Sequence, residues 1–165
     1  GVRGLKLVKD DLVISLAILN GFDFVVDERD EYLKISSALR KNEKFEKTIL
    51  NEEKINLLKI NEEFILSVTE KGFGKRSSAY EYRKTSRGGL GIANMQLGQR
   101  NGNEVVASFP ISNKDQLMLV TDKGKLIRCP VNDIRIAGRQ TQGVTLFNVS
   151  DEEKVVSVAK LEENE

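Results

Sequence analysis

EFILSVTEKGFGKRSSAYEYRKTSRGGLGIANMQL, residues 63–97, aligns without a gap on residues 115–149 at a constant offset of 52. Eight positions are identical in the two copies, whereas composition alone would give roughly two, so the stretch indicates a duplicated structural unit. In the first copy the shared residues are Val68, Thr69, Lys71, Gly72, Arg76, Arg83, Arg87 and Gly91. Four of the eight are Lys or Arg, although a unit that needed only a core would have let its surface charges drift.

Each copy is predicted to contain about four short antiparallel strands separated by turns. In the first copy the expected strands are residues 64–69, 74–82, 91–97 and 105–111, and in the second they are 117–121, 125–134, 143–149 and 155–161. Gly72 and Gly124 stand in the turn of the first hairpin of each copy, where positive φ is required. Four strands in about 50 residues is the size of a propeller-type blade.

The repeat divides the chain into five parts. Residues 1–20 fit the end of a preceding blade, 63–114 a full blade, 115–161 the last full blade and 162–165 the end of an acidic tail. Residues 21–62 do not fit the repeat and are interpreted as an insertion, with one helix near Asp30 to Asn42. Residues 25–27 and 55–60 could instead be strands. A chain that begins inside a repeat is expected to be a fragment of a longer array.

The composition excludes several classes of protein. Cys129 is the only cysteine and there is no histidine, so an internal disulfide, a zinc site and a His-based acid–base centre are not expected. No segment has the length and apolarity of a membrane span or an export signal, which favours a cytoplasmic protein. Lone Ser, Thr and carboxylate side chains without a partner base make poor catalysts.

The charge is unevenly distributed along the chain. The net charge of +1 includes +6 between Lys71 and Gly102, where there are seven cations and one acid, and −4 between Asp151 and Glu165, where there are six acids and two lysines. The rest of the chain contributes −1. A basic block of this kind is typical of polyanion-binding surfaces and equally of a solvated face. Retention of four cations in both copies favours binding.

Three linked motifs carry a resemblance to a known family. Residues 72–76 (GFGKR), 81–83 (EYR) and 87–92 (RGGLGI) resemble the C-terminal domain of the bacterial DNA gyrase A subunit. The similarity covers residues 1–20 and 63 to about 161. It implies an all-β β-pinwheel, in which propeller-like blades exchange a strand with their neighbour, here as a partial array. Of the family's Gln-Arg-Arg-Gly-Gly-Lys-Gly box, Thr85 to Gly91 keeps the second Arg and the glycines, as expected of a later blade.

The resemblance also implies a function. Domains of this family wrap double-stranded DNA without sequence preference and so support ATP-dependent negative supercoiling by a type IIA topoisomerase. The chain itself is expected to hold neither catalytic residues nor a cofactor. ATP and Mg²⁺ belong to the parent complex, whose other expected components are the upstream part of the same polypeptide and the gyrase B subunit. The expected location is the bacterial cytoplasm, at the nucleoid.

The predicted DNA contacts are cations that recur with the repeat, because evenly spaced positive charge binds the phosphate backbone without reading bases. They are Lys71, Lys75, Arg76, Arg83, Lys84 and Arg87 in one blade and Lys123, Lys125, Arg128, Arg135 and Arg139 in the next. Glycines predicted to form turns or to let the backbone approach phosphates are Gly72, Gly88, Gly89, Gly91, Gly124 and Gly143. Glu81 and Asp133 are expected to hold Arg83 and Arg135 in place.

Two alternatives stay open. Within the same class, the chain could be the corresponding C-terminal domain of topoisomerase IV, whose array is shorter and more degenerate. In a different class, it could be a propeller module that binds proteins through the insertion and the acidic tail. Salt separates the classes, because phosphate contacts weaken steeply with ionic strength and an apolar protein interface does not.

Overall fold

The computed structural model describes residues 1–44 and 48–161, so the predicted tail end at 162–165 lies outside the described residues. Two helices precede seven strands: α1 (Val26–Arg40), α2 (Glu52–Ile60), β1 (Phe64–Thr69), β2 (Phe73–Ser78), β3 (Val105–Ile111), β4 (Gln116–Thr121), β5 (Leu126–Pro130), β6 (Val144–Thr145) and β7 (Val155–Leu161). Neither helix of the described part is long and apolar enough to cross a bilayer.

The strands form two antiparallel sheets that follow the two copies. The first sheet has the order β3-β1-β2-β6 and the second the order β5-β4-β7. In each copy a hairpin is followed by a single 3₁₀ turn, Ala79–Glu81 or Val131–Asp133, and a later strand returns to the other edge of the first hairpin strand. The all-β blade prediction is therefore confirmed, although the second strand of each copy is shorter than predicted because the 3₁₀ turn ends it.

The predicted third strands are largely wrong. Residues 91–97 form no strand, and residues 143–149 contain only the two-residue β6. A strand needs a partner for its backbone N–H and C=O groups, and β6 finds that partner in β2 of the other copy, where Phe73 lies opposite Thr145. Among the described residues nothing equivalent lies beside 91–97.

Strand β6 therefore belongs to the second copy in sequence and to the first sheet in space, which confirms the expected exchange of a strand between blades. The exchange depends on Gly72. Its φ is +73°, and a Cβ built there would lie 2.1 Å from the Phe147 carbonyl oxygen. The Gly72 carbonyl accepts hydrogen bonds from the N–H groups of Leu146 and Phe147 at 2.8 and 3.1 Å. Glycine is thus required for the hairpin and for close approach of the next blade.

A single core joins the two sheets. It contains alternate side chains of β1 and β4 together with residues from β3, β7 and the turn after β5, namely Leu66, Val68, Ala107, Ile111, Leu117, Leu119, Val131, Ile134 and Val155. Strand side chains alternate between faces, so the apolar face of each sheet is buried against the other copy. The two copies form one packed unit.

The insertion forms two helices. The helix predicted near residues 30–42 is present as α1, and the alternative of a strand at 55–60 is wrong because α2 covers that segment. Asn51 caps α2 by accepting a hydrogen bond from the Lys54 N–H at 2.8 Å, and two glutamates follow in the first turn, where the helix dipole favours negative charge. The helices enclose a second core of Tyr32, Ile35, Leu50, Leu58 and Tyr80.

Residues 1–20 run without regular secondary structure along the first copy. Hydrogen bonds join the Lys6 N–H to the Gly89 carbonyl at 2.8 Å and the Gly88 N–H to the Gly4 carbonyl at 2.7 Å. The Ser15 hydroxyl donates to the Ser108 carbonyl at 2.7 Å. This segment therefore lies beside the Gly-rich turn of the first copy and the edge of β3.

Candidate nucleic-acid interface

Two of the predicted DNA contacts are buried. Lys75 and Arg76, on β2, are 1% and 6% exposed. The Lys75 ammonium donates to the carbonyls of Gly138, at 2.8 Å, and Arg139. Burial lowers the pKa of Lys75 to about 8 because a low-dielectric site disfavours the charged form. The expectation that these cations face outward is wrong, since the next copy covers the outer edge of β2.

Arg76 joins the two copies. Its Nε donates to the Ile134 carbonyl at 2.7 Å, and its two terminal nitrogens donate to the Asn113 side chain and to the Asn132 carbonyl. Its own backbone pairs with the same segment, because the Arg76 N–H donates to the Arg135 carbonyl at 3.0 Å and the Arg76 carbonyl accepts from the Ala137 N–H at 2.8 Å. The guanidinium therefore has a structural role between blades.

Four of the predicted DNA contacts are exposed in two equivalent segments, residues 82–91 and 134–143, which we call the basic segments. Each follows the 3₁₀ turn of its blade. Arg83, Lys84, Arg87 and Arg135 are exposed. The only ion pair that the described residues offer them is Lys84–Asp23 at 3.0 Å, with both side chains nearly fully exposed; such a pair contributes little. Their charge is available to a partner.

Glu81 has a different role from the predicted one. Its Oε2 accepts the Arg139 backbone N–H at 2.8 Å, so it holds the second basic segment and does not hold Arg83. The Arg139 guanidinium is half-buried and donates through Nη1 to the Ala93 carbonyl at 2.8 Å. Arg139 is thus partly committed to the protein. For Asp133 and Arg135 the described contacts show no pairing.

The cations of the hairpin turns form a separate group. Lys71 is exposed and donates to the Gln99 carbonyl at 2.8 Å, and Lys123 is exposed at the equivalent turn. Lys125 pairs with Glu153 at 2.5 Å. Lys71 and Arg83 lie beyond opposite ends of β2. With a rise of about 3.3 Å per residue, this strand separates the two residues by roughly 20 Å. The turn cations and the basic segments therefore do not form one continuous edge.

The remaining predicted contacts are arranged as follows. Arg128 is exposed, and its Nε donates to the Gln116 side chain at 2.5 Å. Gly88, with φ of +80°, uses its N–H for Gly4, so the predicted approach of this amide to a phosphate is wrong. The hydroxyl of Ser77 donates to the Ala137 carbonyl at 2.9 Å and adds to the inter-blade contacts.

The sequence contains one signal that the Lys75 side chain is buried. Lys75 corresponds to Ile127 in the second copy, whereas Arg83 corresponds to Arg135. A position that alternates between an aliphatic residue and lysine is typical of a side chain whose methylenes are packed. The sequence offered no comparable signal for Arg76, because arginine occupies both copies and only the first is buried.

Comparison with known proteins identifies relatives of this chain. The protein-family model described as 'DNA gyrase C-terminal domain, beta-propeller' matches residues 1–20, 63–112 and 115–162 and leaves out the insertion. The DNA gyrase A protein of Rickettsia typhi is 48% identical over 99% of this chain and 19% of its own length. Its Salmonella typhimurium counterpart is 33% identical over 99% of this chain and 14% of its own length. The chain therefore spans 14–19% of the length of these two relatives.

Solved structures agree with the sequence relatives. A DNA gyrase A C-terminal domain superimposes with a TM-score of 0.55 at 26% identity, covering 59% of this chain and 33% of that one. The C-terminal domain of a DNA topoisomerase IV gives 0.56 at 25% identity, covering 61% and 31%. The exchanged strand, the paired blades and these matches together show that the chain belongs to the DNA gyrase C-terminal domain family.

Proposed function

We propose that this chain binds and wraps double-stranded DNA without sequence preference, as the C-terminal domain of a DNA gyrase A protein. The observation that carries the proposal is the equivalence of the two basic segments. Each exposes arginine at the same point of its blade, Arg83 in one and Arg135 in the other, with no carboxylate partner among the described residues. The gyrase relatives and the gyrase and topoisomerase IV structures support this class of ligand.

The chemistry of the segments suits phosphates better than bases. Neutralising a phosphate releases condensed counterions, and this gain does not depend on which base pair is present. Side chains on exposed loops contact the backbone and fix the orientation of the duplex. Contacts repeated from blade to blade would follow a bent duplex, and such binding favours sequences that bend easily. The chain therefore acts as a wrapping surface that carries no sequence code.

The wider activity belongs to the parent protein. Wrapping by this domain would give the crossing of two DNA segments a fixed sense, so that a type IIA topoisomerase introduces negative supercoils. The strand passage, the ATP and Mg²⁺ that it requires and the gyrase B subunit are assigned to the rest of the complex in the bacterial cytoplasm. The curated relatives of this chain named above are gyrase A proteins, which favours gyrase over topoisomerase IV.

The test is a salt titration of binding to a labelled linear duplex by the 165-residue chain and its variants, read by fluorescence anisotropy. The variant is Arg83→Gln with Arg87→Gln, and the control of equal charge is Lys54→Gln with Lys59→Gln on α2. Each lost phosphate contact lowers the slope of log K against log[salt] by about 0.9 and the affinity at about 100 mM salt about 8-fold. We expect a slope reduced by about 2 and a loss of about 60-fold in the variant.

The control variant should retain the wild-type slope. Equal slopes for both variants and the wild type would contradict the assignment of the basic segments. Wild-type binding that barely responds between about 50 and 200 mM salt, where phosphate contacts should weaken steeply, would instead favour the protein-binding alternative.

A further inference from the structure

The insertion forms one wall of a cleft against the second basic segment. The cleft has a volume of about 760 Å³. One wall is the C-terminal half of α1, from Leu33 to Lys41, and the other is residues 132–138 of the second copy. The insertion lies outside the family model, whose match stops at residue 20 and resumes at residue 63. The cleft is therefore an addition to the repeat.

Helix α1 is held firmly in this position. Tyr80, at the end of the first hairpin, packs edge-on against Phe24 and Tyr32 with ring centroids 4.9 and 5.8 Å apart. Its hydroxyl donates to the Leu58 carbonyl at 2.9 Å, and the Tyr32 hydroxyl donates to Glu62 at 2.8 Å. These buried aromatic contacts fix the helix relative to the blade, so the backbone of its free face has a defined position.

The free face of α1 carries cations. Lys34, Ser37 and Lys41 follow the i, i+3, i+7 spacing of one helix face, and all three line the cleft. The Lys34 and Lys41 side chains are 70% and 56% exposed, and their carboxylate partners, Glu31 and Glu43, lie at 3.6 and 4.0 Å. Exposed pairs at such distances contribute little, so both ammonium groups are available.

Across the cleft stands Arg135. A smaller hollow of about 330 Å³ continues the cleft, and its lining includes Lys41, Lys75 and Arg135 but no carboxylate. Ser37 adds a hydroxyl group to this lining, whereas the Thr141 hydroxyl already donates to the Gly138 carbonyl at 2.7 Å and the Lys75 ammonium is bonded to two carbonyls. In the larger part three carboxylates line the walls, of which Glu81 already accepts the Arg139 N–H. The most positive point is therefore the junction between α1 and the second basic segment.

We infer that this junction binds a backbone phosphate of duplex DNA, with Lys34 and Lys41 of the insertion adding a second row of contacts beside Arg135. The inference rests on the proposed function. It assigns to the insertion the role of widening the wrapping surface at the second blade. Hydroxyl and ammonium donors around a hollow without carboxylates suit a phosphate oxygen, which only accepts hydrogen bonds.

The experiment uses the 165-residue chain with Lys34→Gln and Lys41→Gln together, because glutamine is as good a helix former as lysine. The Lys54→Gln and Lys59→Gln pair on α2, which does not line the cleft, is the control. Salt titrations on a linear duplex should give a slope reduced by about 2 and an affinity reduced up to about 60-fold at about 100 mM salt. The control should match the wild type.

The outcomes separate the inference from the function on which it rests. If Arg83→Gln with Arg87→Gln weakens binding while the Lys34 and Lys41 pair leaves slope and affinity unchanged, the inference is overturned and the proposed function stands. If the wild type does not bind duplex at about 50 mM salt, a concentration where phosphate contacts are strong, the proposed function itself fails.

A second arm identifies the source of the phosphate. Calorimetric titration with inorganic phosphate should give no saturable binding that depends on Lys34 and Lys41, because a single hydrated anion lacks the remaining contacts of a duplex. Saturable phosphate binding that the pair abolishes, with duplex binding unchanged, would assign the cleft to a free phosphate compound and overturn its assignment to DNA.

Discussion

Replacement of Arg76 by methionine distinguishes a blade clamp from a DNA contact. Methionine retains much of the buried side-chain length but cannot donate, so the carbonyl of Ile134, a residue that is 2% exposed, loses its partner. A buried acceptor left without a hydrogen bond costs about 1–3 kcal/mol. Asn113 and Asn132 are exposed, so water replaces their bonds at a smaller cost. The expected loss in the free energy of unfolding is about 2–4 kcal/mol.

Urea denaturation followed by far-ultraviolet circular dichroism measures this loss. If the free energy of unfolding falls by about 2 kcal/mol per molar urea, the midpoint of the transition should fall by about 1–2 M. The repeat supplies a matched control, because Arg128 is the equivalent arginine and is exposed. Arg128→Met should change the free energy of unfolding by less than about 0.5 kcal/mol.

The salt slope of DNA binding provides the second measurement. Folded Arg76→Met protein should bind duplex with the wild-type slope, since the guanidinium that it lacks faces the next blade. The reasoning is refuted if Arg76→Met and Arg128→Met have equal midpoints, or if Arg76→Met lowers the slope by about 0.9, the value for one phosphate.

Lys75→Met should change the free energy of unfolding in urea by less than about 1 kcal/mol, because the loss of two hydrogen bonds to carbonyls is offset by removal of a desolvated ammonium. A loss above about 3 kcal/mol would contradict this. The pKa of Lys75 is about 8 in the folded chain and 10.5 ordinarily. Between these two pH values Lys75 binds more protons in the unfolded chain than in the folded one, so its contribution to the free energy of unfolding increases with pH. Burial raises the pKa of both Tyr80 and Tyr82 to about 12, so above pH 10 these tyrosines ionise in the unfolded chain first and stability falls. Thermal melting across about pH 7–11 measures both pH trends. A melting temperature that falls steadily from pH 8 would refute the stabilising trend assigned to Lys75. Gly72→Ala should cost more than about 2 kcal/mol in urea unfolding, since positive φ and the Phe147 carbonyl both oppose a Cβ; a cost below about 1 kcal/mol would show that neither matters. Tyr80→Phe should cost about 1 kcal/mol by losing its hydrogen bond to α2, and an unchanged urea midpoint would remove that bond from the account.

The local features of the fold could be predicted from the sequence. Alternating apolar residues predicted β1 within the bounds that the structure shows, and the glycine after Lys71 marked its hairpin. These features depend on residues close together in the chain. The helix α2 was not predicted, because the apolar residues at 55–60 suit a strand as well as a helix, although Asn51 followed by two glutamates is a helix start.

The burial of cations could not be predicted in the same way. Arg76 and Ile134 are 58 residues apart, and their contact exists only because the second copy folds back over β2. Retention of a cation in both copies therefore has two physical explanations, a ligand or a neighbouring blade. For Arg83 and Arg135 exposure favours the first explanation, and for Arg76 burial establishes the second.

The exchanged strand has a consequence for how such arrays change in length. The genetic period is 52 residues, yet β6 of one period completes the sheet of the period before it. A recombination event that deletes one period therefore removes part of a neighbour's sheet and must supply a replacement from the period that becomes adjacent. A deletion or duplication of the repeat itself preserves every ladder only in whole multiples of the period, with compatible β2 and β6 partners at the new junction, whereas an insertion between strands, such as residues 21–62, leaves the ladders intact.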